Sequence, residues 1–552
     1  MEKIKPKLFS VMKTYTKEQF VKDVIAGIIV AIIALPLSIA LALASGVGPE
    51  QGLYTAITAG FVISFLGGSR VQIAGPTAAF ATIVAGVVAR TGMEGLIAAT
   101  ILAGIILIIM GLLRFGSLIK FIPYTITTGF TSGIAVTIFI GQVKDFLGLK
   151  FKTAPVETMD KLNACITSIK TVNYQALIIG CISICILIVW PKVSQKIPGS
   201  LIAVIVSSVL VKLLNMDVNT IGSLYEISNK LPSLMVPHMT FATIKNVLPD
   251  AFTIAVLAGI ESLLSCVVAD GMIGSKHRSN MELIAQGTGN IVSALFGGIP
   301  ATGAIARTAA NVKNGGRTPI AGMVHAVTLV LILVVLMPYA ALIPMPAIAS
   351  ILFLVAYNMS EWRTFAQLVK TAPKSDIIVL ITTFALTIIF DLVVAIEIGI
   401  VLAALLFMKR MSEVTMVDSW KYIEDSEEEE NDPDSIQLRK VPKNTLVYEI
   451  VGPMFFAAAN KFINIPTDQS INAIILRMKG VPALDATALR MLQDIHKKCT
   501  KNNITLIFSH VQNQPMSVMA KAGFDKLIQQ ENFCENIDTA LKRAEMLSKS
   551  YM

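Results

Sequence analysis

Residues 67–79 read Gly67-Gly68-Ser69-Arg70-Val71-Gln72-Ile73-Ala74-Gly75-Pro76-Thr77-Ala78-Ala79. Residues 297–310 read Gly297-Gly298-Ile299-Pro300-Ala301-Thr302-Gly303-Ala304-Ile305-Ala306-Arg307-Thr308-Ala309-Ala310. In each, a glycine pair closes an apolar run, a non-helical stretch follows, and a short segment of small residues restarts. The same Thr-Ala-Ala triplet recurs about 230 positions on, which reads as an internal repeat.

Apolar segments surround these breaks at 24–44, 51–67, 76–90, 94–113, 122–143, 173–190, 199–215, 248–270, 281–297, 304–312, 319–338, 342–357, 375–391 and 393–409. The breaks open the third and the tenth of these fourteen segments. An offset of seven is odd, so the two halves have opposite orientations in the membrane, the plan of inverted-repeat transporters. The expected architecture is a polytopic α-helical membrane protein with fourteen spans in a seven-plus-seven inverted repeat.

Composition leads to the same class. Of 552 residues, 54% are hydrophobic and 15% are charged, against about a quarter charged in soluble domains. Residues 1–410 carry 30 basic and 18 acidic side chains, whereas residues 411–552 carry 16 and 19. A wholly soluble enzyme is excluded. The expected domains are a cytoplasmic N-terminus (1–22), a membrane domain (23–410), an acidic linker (411–439) around Glu424 to Asp434, and a cytoplasmic α/β domain (440–552). In the last, apolar runs at Leu446 to Val451, Ile471 to Met478 and Ile504 to Phe508 alternate with helical stretches starting near Ala457, Asp485, Pro515 and Asn536.

The basic excess is a topology signal, not a nucleic-acid footprint. Lysines fill the N-terminus, which lacks the features of a cleaved signal and is expected to stay attached and cytoplasmic. With that end inside, the loops holding Arg70, Arg114 with Lys120, Lys192 with Lys196, Lys276 with Arg278, Lys313 with Arg317, and Lys370 with Lys374 all fall on the cytoplasmic side. The six cysteines form no CxxC pair and the five histidines show no metal-ligand spacing, so no metal or cofactor is expected. Nucleotide-binding loops of the GxxxxGK[ST] and GxGxxG types are missing from the sequence, which leaves an ion or substrate gradient as the energy source.

A helix that starts within the membrane presents unpaired N–H groups and a positive dipole end. Two such starts, near Thr77 and near Ile305, would face each other and bind an anion with few charged side chains. Gly75 and Gly303 would allow close backbone approach, the Thr77 hydroxyl could donate a hydrogen bond, and Arg307 would add positive potential. Glycine and proline at these places could instead serve helix packing alone. Ionisable groups inside spans cost about 2.5–3.5 kcal/mol on insertion scales. Glu261 lies mid-span, with Ser265 one turn on and on the same face. A carboxylate there can take up and release a proton and suits a coupling site, or it can be a structural acid paired with Arg307 or a helix end. Glu397, near the end of the last span, reads as a packing acid.

Several ordered motifs carry a resemblance: Asp23-Val-Ile-Ala-Gly27, Ala34-Leu-Pro-Leu-Ser38, Gly52-Leu-Tyr-Thr55, Gln72-Ile-Ala-Gly-Pro-Thr-Ala-Ala79, Ile260-Glu-Ser-Leu-Leu264, Ala269-Asp-Gly-Met272 and Ala304-Ile-Ala-Arg-Thr-Ala-Ala-Asn311. Over nearly its whole length the chain resembles the sulfate permease (SulP) anion transporters, and its tail resembles their STAS domain. Lys276-His-Arg-Ser-Asn280 and Tyr357-Asn-Met-Ser-Glu361 are similar to segments of bacterial proton-coupled dicarboxylate transporters of that family. The resemblance implies core and gate domains, with an anion site of Gly75, Pro76, Thr77, Ala78, Gly303, Ala304, Ile305 and Arg307. It also implies a homodimer. Bicarbonate transporters of the family hold sodium through an Asp and a Thr matching Glu261 and Ser265, and through a hydroxyl where this chain has Ile305. That departure weakens a sodium site and leaves Glu261 as a proton-coupling candidate. In the tail, Asp485 and Thr487 match the regulatory positions of STAS domains that are phosphorylated, although Asp485 could simply cap a helix. A cytoplasmic partner of this domain is a further implication.

The expected function is secondary active transport of a small anion, sulfate or a C4-dicarboxylate, with protons, across the cytoplasmic membrane. A sodium-coupled bicarbonate transporter is the alternative within the class. A passive anion channel and an anion sensor signalling through the STAS domain are the alternatives outside it.

Overall fold

The structure, a computed structural model, describes residues 4–117, 123–152, 155, 157–194, 197–237, 240–390, 392–414, 416–420, 440–455 and 471–550. The acidic run Glu424 to Asp434, the helix expected from Ala457, Lys120 and Lys196 lie outside the described residues. The chain divides into two compact units, Met1–Val401 and Leu402–Met552.

The first unit is helical. In order come α1 (Leu8–Val11), α2 (Lys17–Ala44), α3 (Pro49–Leu66), a 3-10 turn (Ala78–Phe80) leading into α4 (Ala81–Leu112), α5 (Tyr124–Leu147), α6 (Thr158–Thr167) and α7 (Tyr174–Val193). Then follow α8 (Gly199–Leu213), α9 (Ile221–Leu224), α10 (Phe241–Ile273), α11 (Ser279–Leu295), α12 (Ile305–Lys313), α13 (Ile320–Ala340), α14 (Met345–Ser360), α15 (Trp362–Thr371), α16 (Lys374–Ile389) and the start of α17 (Leu392–Val414). Every apolar segment read from the sequence has its helix. The third and fourth share α4, which is broken at Gly92 by a φ of 68° that side chains resist. Among the described residues six helices, including α2, α7 and α13, are long and apolar enough to cross a membrane by themselves. Others are shorter, or bury polar groups inside the protein, as α11 does with Glu282, Gln286 and Asn290.

Packing separates the helices into two groups. α2, α3, α4, α10, α11 and α13 pack on one another, and α5, α7, α14 and α16 form a second set. Within the first group α4 and α11 cross at Gly104 and Gly287. A Cβ on Gly104 would stand 2.6 Å from the Gly287 carbonyl oxygen, and one on Gly287 would stand 2.4 Å from that of Gly104. Such small-residue crossings let backbones touch where lipid offers no hydrophobic drive for association.

The two breaks meet in a miniature antiparallel sheet. β1 (Ala74–Gly75) pairs with β2 (Thr302–Gly303), Ala74 opposite Gly303 and Gly75 opposite Thr302. This register makes Gly75 the counterpart of Gly303, so Thr77 corresponds to Ile305. The Thr-Ala-Ala triplets that suggested the repeat are therefore not equivalent, since Thr308 lies three residues further on, inside α12. The repeat is real in the backbone, and the shared triplet is out of step with it.

Non-helical backbone at membrane depth must find partners within the protein. Side chains supply them. Thr55 Oγ1 accepts from the Ile299 N–H at 2.7 Å, and Asn290 bonds both the N–H and the carbonyl of Ala301 at 2.8 and 2.9 Å. The Asn311 amide donates to the Val71 carbonyl at 2.9 Å, and Thr308 Oγ1 accepts from the Ile73 N–H at 3.0 Å. Glu282, fully buried, accepts from the N–H groups of Gly68 and Ser69 at 2.8 and 3.1 Å.

The second unit is α/β. Its sheet runs β3 (Met416–Trp420), β4 (Thr445–Val451), β5 (Ala473–Gly480), β6 (Thr505–Ser509) and β7 (Phe533–Cys534), antiparallel between β3 and β4 and parallel beyond. Period-two alternation gives each face its own core. Leu446, Tyr448, Leu476 and Phe508 pack with Leu489, Leu492 and Ile495 of α18 (Ala486–Lys501), near α19 (Asn513–Lys521) and α20 (Phe524–Ile528). Val447, Ile475 and Ile507 pack with Ile537, Ala540 and Leu541 of α21 (Ile537–Ser550). Cys499 sits in the first of these cores, and burial pushes its thiol up to about 11, as befits a packing residue.

Candidate functional site

The half-helix starts are built alike. Thr77 caps the first with extended backbone (φ −126°, ψ 158°) and Ala304 the second, and neither places a side-chain oxygen on the N–H groups that follow. Threonine is a good N-cap because its hydroxyl accepts from the first turn. Here the hydroxyl turns elsewhere, donating to Glu261 Oε2 at 3.0 Å. The first-turn N–H groups at both starts therefore keep their capacity for an anion.

Arg307, in the first turn of α12, is 1% exposed. Its Nη2 donates to the Pro76 carbonyl at 3.0 Å, so the second break grips the first. Its Nε and Nη1 have no hydrogen-bond partner among the described residues. Gly75 makes room for this guanidinium, because a Cβ there would lie 2.3 Å from Nη1. Gly303 makes room for Gln72 in the same way, at 1.5 Å from Nε2. The glycines are needed for close approach of side chains, not for left-handed backbone.

Between the two helix groups lies a cavity of about 400 Å³. From one side it is lined by Pro76, Thr77, Ala78, Glu261, Gly303, Ala304, Ile305 and Arg307, and by Leu37 and Leu41 of α2. Ile305 is 46% exposed into it. Seven of the eight residues expected at the anion site line this space; the eighth, Gly75, lies directly behind it against Arg307. Ser265 stands apart: fully buried, it donates to Thr308 Oγ1 at 3.4 Å and does not reach the cavity. The facing wall, Thr131 of α5 with Val355, Asn358, Met359 and Glu361 at the end of α14, was not read from the sequence.

Behind the site runs a second polar layer that was also missed. Gln72 Nε2 donates to Ser262 Oγ at 3.0 Å, Ser262 Oγ donates to Glu282 Oε1 at 3.3 Å, and Gln286 donates to the same oxygen at 3.0 Å. The Cys266 thiol donates to Gln72 Oε1. Glu282, Gln286, Asn290 and Ser293 recur at helical spacing along α11, a polar stripe that marks this layer in the sequence.

In the second unit Asp485 caps α18, its Oδ1 accepting from the Ala488 N–H at 2.8 Å. Thr487 is exposed in the first turn.

A cavity at the meeting of two broken, inverted helices, lined by dipole ends and one buried cation, defines a membrane transporter of anions. The model of the sulfate permease family matches residues 20–383 and that of the STAS domain residues 435–540, and the chain belongs to the sulfate permease family. It is 39% identical over 95% of its length, and 98% of the relative's, to the putative sulfate transporter YvdB of Bacillus subtilis. It is 29% identical to the bicarbonate transporter BicA of Picosynechococcus sp., covering 95% and 94% of the two chains. The murine anion transporter Slc26a9 in its inward-facing state shares the fold, with a TM-score of 0.88 at 17% identity over 98% and 94% of the chains.

Proposed function

We propose that the protein moves a small oxyanion or C4-dicarboxylate by alternating access, coupled to protons, in the cytoplasmic membrane with both termini on the cytoplasmic side. The anion binds between the half-helix starts, where the N–H groups after Thr77 and Ala304 are left open and the buried Arg307 guanidinium adds positive potential. One observation carries the coupling. The Thr77 hydroxyl at the anion site donates to Glu261, so the coupling carboxylate and the cargo share one hydrogen-bonding residue. Protonation of Glu261 removes a negative charge beside the incoming anion and frees the hydroxyl to turn toward it.

The relatives' names, a sulfate and a bicarbonate transporter, support small oxyanions as cargo. A cavity of about 400 Å³ also admits a four-carbon diacid. Sodium coupling has less support, because Ile305 offers no oxygen and Ser265 is engaged by Thr308.

Uptake of labelled sulfate, succinate and bicarbonate into proteoliposomes under an imposed proton gradient tests the proposal. Accumulation of one of them should follow the gradient, and Glu261→Gln should abolish that dependence. Transport indifferent both to the gradient and to Glu261→Gln would sink the coupling.

A further inference from the structure

The cavity lining contains three ionisable side chains, Arg307, Glu261 and Glu361. The first two have a place in the transport cycle proposed above; Glu361 has none. It ends α14 in the left-handed region (φ 40°, ψ 39°), where a residue with a Cβ is uncommon. Neighbours fix the turn. Ser132 of α5 donates to the Ser360 carbonyl at 2.7 Å, and the Glu361 carbonyl accepts from the Phe365 N–H of α15 at 3.0 Å. The carboxylate itself has no hydrogen-bond or ion-pair partner among the described residues, and the residue is exposed. The nearest cation in sequence, Arg363, lies over the Trp362 ring at 5.5 Å. The lining contributed by α2, α5 and the rest of α14 is uncharged.

An anion site that displays an unpaired carboxylate is in electrostatic conflict with its cargo. With Glu261 and Glu361 both ionised, the lining has one more negative charge than positive. Proton uptake at Glu261 brings it to neutrality, and Glu361 remains as a negative charge on the wall opposite Arg307. Its repulsion of a bound anion is proportional to the anion's charge, so it weighs twice as heavily on a dianion as on a monoanion.

We propose that Glu361 is a specificity-determining residue that selects among anions by charge, favouring a singly charged form over a doubly charged one of similar size. The proposal rests on the transport reading above, and it names the selection rule of that same site. Across a wet cavity, where the effective dielectric lies between that of a protein surface and bulk water, the discrimination is roughly five-fold per additional unit of charge. A dicarboxylate that has one proton is thereby favoured over an obligate dianion.

Purified full-length protein should be titrated with sodium sulfate and with sodium nitrate at matched ionic strength, reading thermal stability for wild type, Glu361→Gln and Glu361→Asp. Glu361→Gln should tighten sulfate about five-fold more than nitrate, and Glu361→Asp should keep the wild-type ratio. Equal changes for both anions, or none, would overturn the inference and leave the transport reading standing. Wild-type protein that binds neither anion, and takes up no labelled anion in liposomes, would overturn the transport reading and the inference with it.

Discussion

The two broken stretches share a backbone plan and differ in nearly every side chain that matters. Both run from a glycine pair through a two-residue strand to a half-helix, and β1 and β2 pair so that Gly75 answers Gly303. At the first start the polar group is a hydroxyl, Thr77, turned to Glu261; its counterpart in the second is Ile305, whose side chain has no polar atom. At the second the polar group is the guanidinium of Arg307, whose counterpart in the first is Ala79. The glycines divide the same way, Gly75 making space for Arg307 and Gly303 for Gln72. Inversion thus supplies two equivalent dipole ends, and the sequence then loads one half with positive charge and the other with a hydroxyl bonded to Glu261, the acid proposed for coupling.

That asymmetry can be broken, beginning with the largest effect. Arg307→Gln removes the cation from the cavity lining and should reduce anion uptake by 100-fold or more in proteoliposomes, a change of about 3 kcal/mol. Gly75→Ala, which pushes on Arg307 from behind, should lower uptake by about ten-fold. Its partner change Gly303→Ala drives into Gln72 and should act on folding instead, lowering the melting temperature through an overpacking cost of about 1–3 kcal/mol. Thr77→Val should weaken half-saturation by roughly ten-fold and flatten the response to a proton gradient, whereas Thr77→Ser restores both. Thr308→Val, in the other copy of the triplet, should leave uptake near wild type and cost about 1–2 kcal/mol of stability, because its hydroxyl serves the Ile73 N–H. If Thr77→Val and Thr308→Val behaved alike, the two threonines would be equivalent after all, and the register that matches Thr77 with Ile305 would be wrong.

What the sequence made legible follows from the physics of the bilayer. Apolar runs of spanning length, and glycine and proline where a span cannot be helical, signal spans and breaks directly, and both breaks stand where they were read. Glu261 and Arg307 were conspicuous because charges in spans are rare. The register of the repeat was not legible, since Thr-Ala-Ala is a stretch of small residues that packing favours at many places. Glu282 escaped notice because it lies only four residues into α11, where a carboxylate passes for an interfacial charge; its burial depends on Gly68 and Ser69, remote in sequence. The wall formed by Thr131, Asn358 and Glu361 could not be read at all, because local pattern does not say which helices face each other across a cavity. Ser265 is the reverse case. One helical turn from Glu261 suggested a shared role, yet the small angular offset between positions four apart turns it toward Thr308 instead.

The two-residue sheet has a consequence for biogenesis. Until residues 302–303 have been synthesised and inserted, Ala74 and Gly75 have no strand to pair with, and Gly68 and Ser69 wait for Glu282. Unsatisfied amides at that depth are too costly for lipid to tolerate. The N-terminal repeat alone therefore leaves these backbone groups without the partners they have in the finished fold. The site is complete only when residues more than two hundred positions further along the chain, Glu282 and Thr302–Gly303, have joined it.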